Sequence, residues 1–168
     1  MTSATEETSN TIKPDYVTAL ERFYGAPSQD GFGSAVFYER LPADADLEQT
    51  ALAQYRYFVG DLWERYGEDA WMGPWRQVYT RPADGNANIV AELRSLEDRA
   101  ARQSAALIVD EIDNAEDARA ALAAAFDSAA VTELSVYKLG DGAAMSGILV
   151  AAHRAATGEM LFLIFLLD

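Results

Sequence analysis

Four carboxylates, Asp61, Glu64, Glu68 and Asp69, flank an aromatic segment that holds Trp63 and Trp71. Paired carboxylates beside aromatic rings suit two kinds of chemistry, acid/base cleavage of a glycosidic bond or capture of a divalent cation. Asp61 and Glu64 stand three apart, a spacing that puts both on one face of a helix. Arg65 and Arg76 are near enough in sequence to neutralise them, so the plainer reading is a solvated helix edge with ordinary ion pairs. Asp110, Glu111 and Asp113 lack the twelve-residue calcium-loop pattern and read as surface. No metal site is expected.

Other chemistry has weaker support. His153 is the only histidine. It cannot build a multi-histidine zinc site, and a catalytic role as general base needs an activated partner beside it. The expectation is a surface residue at a strand end. Ser146-Gly147 is not set in a G-x-S-x-G elbow. Gly140-Asp141-Gly142 reads as a hairpin turn, and no glycine-rich phosphate loop occurs. No cofactor is expected.

From Tyr55 to Tyr79 the chain interleaves arginine with aromatic residues. In a basic protein that pattern would suggest stacking on nucleic-acid bases. Here 27 acidic residues face 13 basic ones, a formal charge of −14. Such a chain repels phosphates, and nucleic acid is not an expected partner. Two readings remain. One is a core whose arginines lay their stems along apolar surface. The other is an aromatic-lined pocket or protein-contact patch, since Trp, Tyr and Arg dominate binding hot spots. On the second reading Trp63, Trp71, Trp75, Tyr79, Arg76, Asp61 and Glu64 form the candidate ligand- or partner-binding set.

The bulk properties bound these readings. The 168 residues make one ordinary domain, and a 50% hydrophobic, 11% aromatic composition can fill a core. The absence of cysteine excludes disulfides and thiolate chemistry. Residues 1–12 are polar, without an apolar signal region, and read as a flexible tail before a single domain over 13–168. The longest apolar run, Met160 to Leu167, falls short of the roughly 20 residues a spanning helix needs. A cytoplasmic protein without membrane contact is expected. Lys13 and Lys138 are the only lysines, and alanine is abundant. A GC-rich genome or a salty cytoplasm explains that bias. The functional alternative for the acidic charge is a surface that steers a basic partner.

Periodicity then places the elements. Pro14 opens a short amphipathic helix that Gly25 closes. Ser34 to Leu41 reads as a strand. Asp46 and Gln49 resemble a capping box, and Leu47, Ala51, Tyr55, Phe58, Leu62 and Tyr66 form one helical stripe up to Gly67. Trp75 to Arg81 reads as a strand, and Asn86 or Asn88 caps a helix through Ile89, Leu93, Leu96 and Ala100. Residues 105–112 read as strand or helix, and Ile108-Val109 tip the reading to a strand. Asn114 caps a further helix with Ala118, Ala121, Leu122, Ala125 and Phe126 on its apolar face.

The last third reads as an antiparallel meander: Val131–Leu139, Ala144–His153 and Glu159–Leu167. Both alternating sets of the final strand are apolar, so both of its faces must be covered. The Asn114 helix would cover one. The N-terminal helices or a second copy of the chain would cover the other, which makes a homodimer through the C-terminal sheet an expectation. Fourteen of the eighteen aromatics lie between Tyr16 and Tyr79. The sequence thus describes one two-layer α+β domain, a mostly helical N-terminal half on a C-terminal antiparallel sheet of three strands plus one or more. Two functions are compatible with it. The first is a non-enzymatic interaction module (regulator, inhibitor or assembly factor) with a basic protein partner. The second is a small-molecule binder or enzyme with its pocket between helices and sheet.

Overall fold

The computed structural model describes residues 13–42, 44–84, 86–141 and 144–167. The tail expected over 1–12 and the Gly142 of the expected hairpin turn lie outside the described residues. Seven helices and five strands follow one another among them. Helix α1 (Asp15–Tyr24) leads to strand β1 (Gly33–Arg40), then to α2 (Leu47–Val59), α3 (Asp61–Tyr66) and α4 (Glu68–Met72). Strand β2 (Arg76–Thr80) is followed by α5 (Ile89–Arg94), α6 (Arg99–Val109) and α7 (Ala115–Phe126). The chain closes with β3 (Glu133–Gly140), β4 (Ser146–Arg154) and β5 (Glu159–Leu167).

The five strands form one antiparallel sheet in the order β1-β5-β4-β3-β2. β5 is an interior strand, paired with β1 on one side and β4 on the other. Its alternation divides the core. Leu161, Leu163 and Phe165 face the layer of α1, α5, α6 and α7. Met160, Phe162, Ile164 and Leu166 face the layer of α2, α3 and α4. Burying a side chain of this size contributes about 1.5–3 kcal/mol, so both faces drive the fold.

The single α+β domain is therefore as the sequence describes. The layer count is a correction: three layers, not two, because helices of one chain cover both faces of the sheet. The doubly apolar strand accordingly needs no second copy to shield it. The Asn114 helix, α7, expected over one face of β5, shares its core with Leu161, Leu163 and Phe165. The closest packing of α7 is against α1, and α6 is the helix that packs on the neighbouring strand β4.

Three local readings change as well. The helix expected through Tyr66 breaks at Gly60, whose φ of 65° lies in the left-handed region. The break resets the helical phase, so Trp63 turns inward while Tyr66 is 56% exposed. Residues 105–109 are helix, not strand. The Asp98 carboxylate caps α6 by accepting from the Ala101 N–H at 3.0 Å. Ala101, Ala105, Ile108 and Val109 then face the core at helical spacing. Asn114 sits left-handed at φ 57° and its side chain does not cap α7.

Candidate functional site

The aromatic residues of the candidate set separate into two groups. Trp63, Trp71 and Trp75 gather on the α2–α4 side of the sheet around Tyr55. Trp75 stacks between Tyr55 (5.5 Å between ring centres) and Tyr137 (4.7 Å). Trp63 and Trp71 stack at 6.3 Å and meet Tyr55 edge-on. The Tyr55 hydroxyl ties this cluster together. It accepts from the Gly140 N–H at 3.1 Å and shares its single proton between the Trp71 and Gly140 carbonyl oxygens, each 3.2 Å away. Burial raises its pKa above the usual phenol range, so it remains a donor. Burial likewise pushes Tyr137 up to about 12.

Tyr79 and Arg76 belong to the opposite face. A register shift in β2 between Gln77 and Tyr79 places Tyr79 against Val136 rather than Ser135. Tyr79 therefore packs toward α5 and donates to Glu92 Oε2 at 2.6 Å. Arg76 pairs with Asp98, which Lys138 also approaches at 3.4 Å. Asp61 and Glu64 project from α3 into solvent. The structure thus unites the three tryptophans with one another but not with Tyr79 or Arg76.

A groove of about 360 Å³ lies beside this cluster, outside α2 rather than between helices and sheet. Gln49, Leu52, Ala53 and Arg56 of α2 line it, with Trp63 of α3 and Glu68 and Met72 of α4. The four α2 residues stand at i, i+3, i+4 and i+7, one stripe of the helix, distinct from the core stripe of Leu47, Ala51, Tyr55 and Phe58. Only Trp63 of the candidate set lines the groove, and Glu68 is its carboxylate where Asp61 or Glu64 was expected. The signal for the groove is Leu52-Ala53, an apolar pair on the otherwise polar side of α2.

The tryptophan N–H groups differ sharply. Trp71 donates to the Leu62 carbonyl at 3.0 Å, and Trp75 donates to Glu48 Oε2 at 3.1 Å. Trp63 Nε1 is buried and has no hydrogen-bond partner. Leaving such a donor unpaired costs about 1–3 kcal/mol. Above the Trp63 ring sits the Arg56 guanidinium, 5.7 Å from the ring centre. Its Nη1 lies 3.9 Å from Glu68 Oε1.

Elsewhere, His153 departs from expectation. It is 6% exposed rather than at the surface, and its Nε2 has no partner. Its register neighbours are Glu133 on β3 and Met160 on β5. The carboxyls that burial pushes toward the protonated form, Glu39 and Asp127, lie outside the groove. Among the described residues no group of three or more His, Asp or Glu side chains is placed to hold a metal ion, and no helix is long and apolar enough to cross a membrane. Neither a protein-family model, nor a curated protein, nor a solved structure matches this chain.

Proposed function

We propose that this chain is a non-enzymatic recognition module that takes a basic protein segment on the outer face of α2, α3 and α4. The observation that carries the reading is the Trp63 indole N–H, buried and unpartnered in a residue that lines a groove. A partner that uncovers Nε1 and brings it an acceptor would relieve that cost. A peptide carbonyl is an acceptor of the right chemistry. Charge favours a cationic partner: residues 46–72 carry six acidic side chains against Arg56 and Arg65. The same charge argues against a second copy of this acidic chain on that face.

The second reading, a small-molecule site, draws support from size alone. The groove volume of about 360 Å³ falls in the lower part of the range ligand pockets occupy.

The test is a titration followed by the Trp63 indole N–H resonance, assigned through Trp63→Phe. The probe is an acetylated, amidated Lys/Leu pentapeptide, with its Glu/Leu counterpart as control. The reading expects a shift of that resonance with the basic peptide only, and a binding constant that weakens several-fold between about 50 and 500 mM salt. A silent Trp63 resonance, or equal binding of the acidic peptide, overturns it.

A further inference from the structure

We infer that Arg56 occupies, in the free protein, the place that a partner's lysine or arginine takes in the complex. The inference rests on the recognition reading above and names the chemistry and regulation of that same groove. Three groups form a subsite for a basic side chain. The Trp63 ring offers the face on which the Arg56 guanidinium already rests, at 5.7 Å. Glu68 offers a carboxylate, 3.9 Å from Arg56 Nη1. Leu52, Ala53 and Met72 offer an apolar wall for the methylene stem that carries the charge.

The resident cation is loosely held. The Arg56 and Glu68 side chains are 60% and 64% exposed, and their nitrogen and oxygen approach only at the outer limit of an ion pair. Such a pair exchanges readily. Arg56 is anchored on α2 and cannot carry a backbone carbonyl to Trp63. A partner's basic residue brings one with it. The incoming segment therefore brings a cation and an acceptor together, whereas Arg56 supplies only the first; the acceptor meets the indole once the buried Nε1 is uncovered. Arg56 thus acts as an internal competitor that lowers apparent affinity by the fraction of molecules it closes.

The consequence runs against simple intuition, because deleting a groove-lining residue should tighten binding. Arg56→Ala is compared with Arg65→Ala, which removes the same charge from an exposed position outside the groove lining. The same Lys/Leu pentapeptide is titrated into the full chain of each variant. Arg56→Ala should bind about three-fold more tightly than Arg65→Ala, the factor expected for losing one exposed cation–π contact. Glu68→Gln should weaken binding relative to the unaltered protein. If Arg56→Ala binds no tighter than Arg65→Ala, the competitor role is overturned while the recognition reading stands. If no variant and not the parent protein binds the peptide, the recognition reading itself falls.

Discussion

Arg81 holds Glu92 with two parallel hydrogen bonds, Nη2 to Oε1 at 2.6 Å and Nε to Oε2 at 2.9 Å. Both side chains are about nine-tenths buried. The pair joins the end of β2 to α5. Arg81 also donates to the Phe126 carbonyl at 2.8 Å and to Asp127 Oδ1 at 3.1 Å, so it clasps the start of α5 to the end of α7. Asp127 in turn accepts the Ile89 N–H at 2.8 Å. Removing one member leaves the others charged and dry. Glu92→Gln should cost about 3 kcal/mol in urea unfolding, the size expected when a buried ion pair loses one partner. A loss below about 1 kcal/mol would show that water reaches Arg81 freely.

The same cluster predicts the acid limb of stability. Burial pushes Glu92 up from its ordinary 4.5, but the bonds from Arg81 and Tyr79 outweigh it and hold the carboxyl below that value. Glu159 is lowered likewise, against its burial, chiefly by the Tyr38 hydroxyl at 2.7 Å. A lowered folded-state pKa means the unfolded chain takes up the proton first as pH falls. The stabilisation is therefore complete above the ordinary carboxylate range and drains away as pH drops through 4.5 and below. Asp127 runs the other way, because burial raises it and the folded state protonates first. Urea midpoints measured from about pH 7 to pH 3.5 should fall in the parent protein and fall less in Glu92→Gln.

Tyr55 supplies a third test. Its hydroxyl links α2 to Trp71 on α4 and to Gly140 at the end of β3. Tyr55→Phe keeps the stacked ring and strands the Gly140 N–H. The expected loss is about 1–3 kcal/mol, with Trp fluorescence altered because three indole rings touch Tyr55. An unchanged unfolding midpoint would mean that Gly140 finds another acceptor.

Much of this architecture is written plainly in the chain. The two-sided apolar alternation of 160–167 demands a covered interior strand, and β5 is one. Breaks are harder to read than patterns. Gly60 sits inside an unbroken helical stripe, and only its left-handed backbone reveals that the stripe changes phase there. Ile108 and Val109 favour strand by their branched side chains, yet the Asp98 cap and the spacing from Ala101 place them on a helix. The candidate site was partly legible for the same reason. Trp63 stands out by type. The separation of Tyr79 from Trp75 depends on a one-residue bulge, which carries every later side chain of β2 to the other face. The groove wall of α2 has only two apolar residues, Leu52 and Ala53, on a polar side, too brief to register as a periodic signal.

Gly147 tests the tightness of the sheet centre. A Cβ at this position of β4 would stand 1.8 Å from the Phe165 carbonyl oxygen on β5. That oxygen belongs to backbone and cannot swing away. Gly147→Ala should therefore force the β4–β5 ladder apart locally and cost roughly 3 kcal/mol or more. Retention of the parent unfolding midpoint would mean the strands sit further apart than described.

The contrast between two tryptophans separates stability from recognition. Trp71→Phe deletes an indole that donates to the Leu62 carbonyl, so it removes a made bond and opens space in a fully buried position. Trp63→Phe deletes an N–H that has no partner and so relieves a penalty while opening similar space. The two losses should differ by about 1–3 kcal/mol, with Trp63→Phe the milder. The order should reverse for peptide binding, because Trp71 does not line the groove while Trp63 does. A residue that is cheap to remove for folding and expensive to remove for binding is one kept for its ligand. Equal destabilisation by the two substitutions would show instead that the Trp63 N–H is satisfied in solution, and it would remove the ground on which the groove is read as a site.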